Sequence, residues 1–472
     1  MQNSDVEMSE AAAASGVVNA RLAFDATFLL RRYFVRPTGI DRVQLEIVAE
    51  LLRDGDYVDF VEFDEVHGIF RTVPTSTVAE RVRAMRGEDN SANVDCPHRT
   101  GSPVRLTAGR LVAQRFKSSP DTGRHLTKAA GHARRAVQEL VRAARSLRAT
   151  ATLNRRGEPA SCASATWSGT TTFASLGMDF GRYAVYLAER RAATSAQVCL
   201  VVYDVIPIVQ PQFTTIDFEP FILKILDLAD HVLVISDVTR RDLESFAALR
   251  QLALPETTKL PLGSALVDIG ATKPAALAGP LGVARGDFVL YVSTLTLRKN
   301  HHLLFDVWEE LIREHGPDSA PKLVIAGQRG PLSAESQSRL DKTPGFEGVV
   351  FHVEEATDAE IAWLYRNCRF TVYPSLYEGW GLPVSESHDF GKVCLASDRT
   401  SLPEAGEGLA ELLDPIDRTA WQERIWAVWN DEEARCEHER MIVRKHRRVT
   451  ARHTTDTLLS VAGLQDSGHV GY

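Results

Sequence analysis

The sequence predicts an α/β protein of two doubly wound, parallel-sheet (Rossmann-like) domains facing each other across a cleft. Three observations predict it. Short apolar, β-branched runs alternate with amphipathic helical patterns, and they do so in two separate blocks. The runs are continuously apolar, as strands covered by helices on both faces must be. A Gly-, Ala- and Pro-rich stretch, residues 263–287, divides the blocks and reads as a linker. A chain of 472 residues is long enough for two or three domains, each with its own core.

In the first block, residues 17–262, Arg21–Thr27 reads as a strand. Gly39–Arg53 comes next as a helix with Ile40, Val43, Ile47 and Leu51 on one face, and Tyr57–Phe63 as a second strand. Residues 64–165 read as an insertion. Strand Thr172–Leu176, a helix near Arg182–Arg191, strand Val198–Tyr203, a helix near Phe218–Leu228 and strand His231–Ile235 come after it. Ser236 is placed to cap a helix over Val238–Phe246. The second block, residues 288–430, opens with strand Phe288–Ser293 and helix Leu303–Glu314. Strands Lys322–Ala326 and Val349–Val353 precede helix Asp358–Tyr365, where Thr357 and Glu360 form a capping-box pattern. Strands Phe370–Tyr373 and Val393–Ala396 and helix Thr419–Trp429 complete the block, and residues 431–472 read as terminal helices. Residues 1–16, acidic and Ala-rich, read as a disordered tail, unlike a signal peptide.

Bulk properties narrow the function. A net charge of −8 argues against nucleic-acid binding. That average hides an asymmetry: residues 91–156 hold 14 Lys and Arg against Asp95, Asp121 and Glu139. Within them, 126–148 reads as a basic amphipathic helix able to touch anionic lipid, or as an exposed helical excursion. No apolar run reaches the roughly 20 residues that span a bilayer. Six scattered cysteines form no C-x2-C pair, so the reading is a reducing compartment and no metal site. Asp54-Gly55-Asp56 spells D-x-D but ends a helix and reads as a turn; His301-His302 reads as a polar helix start.

Residues 373–391, YPSLYEGWGLPVSESHDFG, constrain the chemistry most tightly. A strand ends at Tyr373, a loop carries Glu378-Gly379-Trp380-Gly381, and Pro383 opens a helix that bears Glu386. Pro costs nothing at a first helical position. Glycines let the backbone approach a ligand, and the helix N-terminus suits an anion. Arg298 and Lys299 follow another strand end and are placed to hold phosphates, as a fork and as a point charge. The bland alternatives are a solvated basic turn for Arg298 and Lys299 and exposed carboxylates for Glu378 and Glu386.

The segment resembles the E-x7-E signature of the retaining family 4 glycosyltransferases, with Trp380 where Phe is usual. Gly391-Lys392-Val393-Cys394, Leu402-Pro403-Glu404, Arg298-Lys299-Asn300, Tyr203-Asp204 to Pro207, Val234 to Arg241, and Thr38-Gly39-Ile40-Asp41-Arg42 resemble further elements of that family, in order over most of residues 20–430. Ser293, Thr296, Leu297 and Tyr203 depart from its usual residues. The resemblance implies the GT-B fold, with the last helices near 431–460 crossing back to the first domain. It implies a nucleotide-sugar donor site made by Arg298, Lys299, Glu378, Gly379, Trp380, Gly381, Leu382, Glu386, Gly39 and Val353, with Glu386 on the ribose and Glu378 on the sugar hydroxyls. Glu378 and Asp204 are the catalytic candidates. Gly39 reads equally as a turn glycine, and Asp204 as a turn-capping Asp. Glu354 is a further candidate near the base.

The expected function is therefore metal-independent transfer of a hexose, with retention, onto a glycan or lipid-linked acceptor in surface polysaccharide synthesis, without a cofactor. The first choice of donor is GDP-mannose, because T-G-I-x-R with Y-D-x-x-P resembles members that use it; a UDP-sugar is the other choice. The expected place is the cytoplasm, with peripheral contact to the inner membrane through 126–148. Rival readings are a UDP-sugar epimerase or phosphorylase, a catalytically weak glycan-assembly partner, and a membrane adaptor.

Overall fold

The computed structural model describes residues 20–31, 39–54, 57–65, 67–86, 164–177, 181, 183–270, 283–330 and 332–464. The expected tail 1–16, the basic stretch 126–148, Thr38 and most of the insertion lie outside them. One compact unit comprises residues 1–82 and 164–472; of the second, 83–163, only the helix end Arg83–Arg86 is described.

Two sheets organise the first unit. One contains β1 (Arg21–Asp25), β2 (Val58–Asp64), β3 (Ile69–Thr72), β4 (Thr171–Ser175), β5 (Gln197–Val202), β6 (His231–Val234) and β7 (Glu256–Lys259), in the order β3-β2-β1-β4-β5-β6-β7. Every pairing is parallel except β2 with β3. The second sheet contains β8 (Phe288–Val292), β9 (Lys322–Ala326), β10 (Val350–Val353), β11 (Phe370–Tyr373), β12 (Cys394–Ser397) and β13 (Glu411–Leu413), all parallel, in the order β10-β9-β8-β11-β12-β13. The direction of winding reverses at β1/β4 and at β8/β11, the switch points where such sheets bind ligands beyond their carboxyl ends.

The central strands are buried between covering helices: β5 is apolar and buried at all but its first position, and β4, which includes Thr171, Thr172 and Ser175, is buried at every position. Helix Asp237–Leu249 begins where Ser236 Oγ accepts from Thr239 N at 2.9 Å. Helix Asp358–Asn367 begins at the Thr357–Glu360 capping box. β3 lies inside the stretch that reads as an insertion; it supplies Phe70, buried against Trp167 and Phe173 in the core of the first lobe. Near the C-terminus, helix Ala451–Val461 packs on helix Gly39–Asp54 of the first lobe, and Thr454 Oγ1 donates to Pro261 O at 2.7 Å.

Candidate active site

β8 and β11 are neighbours at the switch point of the second sheet, and the segments after them carry the principal charges. After β8, a tight turn Leu297–Lys299 ends at Asn300 in the left-handed conformation. The Asn300 amide donates to Pro374 O at 3.1 Å and to Pro415 O at 2.8 Å, and Leu376 N donates to Arg298 O at 2.9 Å. The turn is thus tied to the loop after β11, and Arg298 and Lys299 are delivered to Glu378.

Glu378 is 6% exposed. Arg298 Nη1 lies 2.7 Å from its Oε2 and Lys299 Nζ 2.5 Å from its Oε1. Lys299 Nζ also donates to the Tyr373 hydroxyl at 2.6 Å, and that hydroxyl donates to Glu378 Oε1 at 3.2 Å. Burial opposes ionisation of Glu378, but the two cations outweigh it and hold the carboxyl at about 2. Burial, with Arg298 repelling, lowers Lys299 to about 8 despite its bond to Glu378.

The loop is fixed by hydroxyls that single-residue motif reading does not flag. Glu378 N donates to Thr400 Oγ1 at 3.0 Å; Ser401 Oγ donates to Glu378 O at 3.0 Å and Trp380 O at 2.7 Å. Gly381, at φ +112°, precedes helix Leu382–Asp389, and a Cβ on it would meet Leu402 Cδ2 at 2.5 Å. The Trp380 indole N–H is buried and makes no hydrogen bond.

The first lobe closes on this loop at Gly379, whose added Cβ would sit 2.5 Å from Tyr203 O and 3.0 Å from Asp204 Cβ. Thr239 Oγ1 lies 3.3 Å from both Tyr203 O and Gly379 O, donating at the seam. Asp204 Oδ1 accepts from Ile206 N at 3.0 Å, the turn-capping role, while its carboxyl feels Arg298 and Glu378 opposite; burial raises it and Arg298 lowers it, with a net rise. Tyr203, where the family resemblance has His, points away: its hydroxyl donates to Leu176 O at 3.0 Å and accepts from Gln44 Nε2 at 2.9 Å. Gly39 faces Leu382, with 3.2 Å from an added Cβ to Leu382 Cδ1.

Glu386 is 3% exposed on helix Leu382–Asp389 and accepts from Ser264 and Tyr365 hydroxyls, each at 2.9 Å. Arg42 of the first lobe stands beside it, with Nη1 3.6 Å from Glu386 Oε1, a reach that a spacing argument cannot supply. Val353 ends the edge strand β10, with β9 and β8 between it and β11; Glu354 after it pairs with Arg329 at 3.0 Å. Among the described residues no cluster of three or more His, Cys, Asp and Glu side chains is arranged to hold a metal, and no helix is long and apolar enough to cross a membrane.

Residues 282–448 match the family model of glycosyl transferases group 1. The O-antigen chain mannosyltransferase B of Escherichia coli is 28% identical over 211 residues, 44% of this chain and 53% of the relative. The serotype-specific mannosyltransferase WbdA of Escherichia coli is 26% identical over 210 residues, 41% of this chain and 25% of the relative. The matches thus span about half the length of the first curated relative and a quarter of the second. Among solved structures, TarM covers 62% of this chain and 55% of its own at 17% identity and TM-score 0.44. An α,α-trehalose-phosphate synthase from Burkholderia xenovorans covers 62% and 73% at 12% identity and TM-score 0.49. The residues that match the group 1 glycosyl transferases contain the entire second sheet and the charged turn and loop at its switch point, so the likeness to that family lies in this lobe.

Proposed function

We propose that the chain transfers a hexose from a nucleotide sugar to a glycan or lipid-linked hydroxyl in polysaccharide biosynthesis, with mannose from GDP-mannose as the first choice of donor. One observation carries the reading: a buried Glu378 anion lies between Arg298 and Lys299 beside a helix N-terminus, with Asp204 of the other lobe facing it. Such a group has acceptors for sugar hydroxyls on one side and cations for a leaving diphosphate on the other. The mannosyltransferase names of the two Escherichia coli relatives favour mannose and an O-antigen-type product.

In this reading Arg298 and Lys299 bind the diphosphate together with the amides of Gly379 to Leu382. Glu378 accepts from hydroxyls of the transferred sugar, and Glu386 from the ribose. The bond from sugar C1 to the diphosphate oxygen breaks, the acceptor oxygen bonds to C1, and the acceptor proton departs, with Asp204 the candidate to take it. Retention and independence of metal follow from the family resemblance. Gly39 lines the donor side at the lobe seam, and Val353 borders the base. The reading puts the chain on the cytoplasmic side of the inner membrane, with the basic sequence 126–148 toward lipid.

The test uses the purified chain with GDP-mannose or UDP-hexoses and a glycan acceptor, scored by mass of the extended glycan. Extension by one hexose is expected, and Glu378→Gln is expected to cut turnover by about a hundredfold with an unchanged far-ultraviolet circular dichroism spectrum. Wild-type turnover in that variant would sink the assignment. In thermal shifts with GDP, UDP, ADP and TDP, the preferred base at 100 times its dissociation constant adds about 2.7 kcal/mol. Consumption of the sugar nucleotide without acceptor would favour the epimerase reading instead.

A further inference from the structure

Glu386 poses an electrostatic problem that Glu378 does not. Burial drives its carboxyl toward the neutral acid, and the direct hydrogen bonds it accepts from Ser264 Oγ and Tyr365 Oη are from uncharged groups. Asp389, on the same helix, adds negative charge nearby. The cation facing Glu386 comes from the other lobe: Arg42, in the first turn of helix Gly39–Asp54. Its Nη1 is 3.6 Å from Glu386 Oε1, and its Nε is 3.6 Å from Asp358 Oδ1 at the start of helix Asp358–Asn367. Both of these nitrogens are buried and make no hydrogen bond. The contact is therefore one of charge, not of hydrogen bonding. A guanidinium of one lobe neutralises two carboxylates of the other without being committed to either.

We propose that Arg42 is a positioning residue for donor binding: it keeps Glu386 an anion aimed at the ribose diol, and only while the first lobe is closed over the second. The proposal deepens the reading above and rests on its assignment of the ribose to Glu386. The reasoning is one of acceptor count. A carboxylate accepts from two vicinal hydroxyls at once, whereas a protonated acid has turned one oxygen into a donor. Opening the lobes takes Arg42 away, and the ribose site loses the charge that favours and aims its acceptor. Donor affinity and lobe closure become one coupled event.

The test is calorimetric titration of GDP and UDP, and of their 2′-deoxy forms, into the full chain as wild type, Arg42→Met, Arg42→Lys and Glu386→Gln between pH 6 and 9. At pH 7, Arg42→Met is expected to bind the preferred nucleotide about tenfold more weakly, through loss of the cation that favours ionised Glu386. The loss is expected to recover as the pH rises, with a midpoint well above that of wild type, and Arg42→Lys is expected to stay near wild type. Preference for the ribose over the 2′-deoxyribose form should fall with it. In turnover, KM for the donor rises while kcat holds. A deficit in Arg42→Met that is equal at every pH, or no deficit, overturns the proposal. Should Arg42→Met fail to fold, Asp358→Asn, which leaves Arg42 to Glu386 alone, is expected to lower the midpoint; an unmoved midpoint overturns it equally. Wild-type affinity in Glu386→Gln would show instead that the ribose assignment itself is wrong.

Discussion

At Glu378 the chain keeps an anion where burial alone would leave a neutral acid. Its two cations respond differently to it. Burial, with Arg298 adding repulsion, lowers Lys299 to about 8, while the attraction of Arg298 and Lys299 overcomes burial at Glu378 and lowers it to about 2. The signs fix the pH behaviour. Glu378 has a folded value below its unfolded one of about 4.3, so its stabilisation is present above that pH and is lost as the pH falls toward 2. Lys299 has a folded value below its unfolded one of about 10.4, so its charge costs stability below pH 8, and that cost is relieved between pH 8 and 10.4. Removing one partner of a buried pair exposes the other's desolvation, though here Arg298 stays bound. Lys299→Met relieves the cost of its own buried charge but withdraws one of the two cations from Glu378, so its net change in urea denaturation at pH 7 is expected to stay within about 1 kcal/mol. The double variant Lys299→Met/Glu378→Gln is expected to lose less than the sum of the singles by about 1 kcal/mol. Strict additivity would mean the two groups are not energetically coupled.

Helix Leu382–Asp389, which carries Glu386, is held from behind by the end of another helix. His446 caps Glu432–Lys445 and places Nε2 2.8 Å from Asp389 Oδ1 and Nδ1 3.1 Å from Glu407 Oε2. Burial opposes its charge, but the two carboxylates prevail and raise it to about 9. A folded value above the unfolded one of about 6.5 means the stabilisation is full below pH 6.5 and is lost as the pH rises through 9. From pH 6.5 to 9.5 the contribution of His446 to stability in urea denaturation is expected to fall by about 2 kcal/mol, discounted for the partial exposure of Glu407 and set against the opposite change at Lys299. The loss should be absent in His446→Gln; a wild-type slope in that variant would refute it. At this scale the sequence is legible where burial is two-sided. β5, β6, β8 and β11 are largely apolar runs because helices cover both faces. β3 (IFRT), β7 (ETTK) and β13 (ELL) are edge strands, short and partly polar because one side meets water, and pattern reading passes over them. In the site, Glu378, Arg298 and Lys299 announce themselves by charge and motif. Thr239, Thr400 and Ser401 act through backbone partners, and Arg42 through a reach between lobes, so neither local spacing nor periodicity marks them.

Across the whole unit, the two lobes meet along a seam of single contacts. Tyr377 Oη donates to Asp242 Oδ2 at 2.7 Å, and Glu404 accepts from Asp237 N at 3.0 Å and from Lys259 Nζ at 2.9 Å. At the centre is Gly379, which lets the loop of the second lobe lie directly on the end of β5. An alanine Cβ there would stand 2.5 Å from Tyr203 O, closer than real Cβ contacts come, and 3.0 Å from Asp204 Cβ. Both obstacles belong to the other lobe, close to its backbone, so no rotamer change relieves them. The lobes must part, while each keeps its own sheet and core. Gly379→Ala is expected to raise the radius of gyration in small-angle scattering and leave the far-ultraviolet circular dichroism spectrum unchanged. It should also lower kcat/KM by about a hundredfold, since a displacement near 1 Å at the reacting groups costs that much. Because opening also withdraws Arg42 from Glu386, the pH profile of nucleotide binding in Gly379→Ala should move in the same direction as in Arg42→Met. A variant that kept wild-type kcat/KM and an unchanged radius would show that this glycine does not set the distance between the lobes.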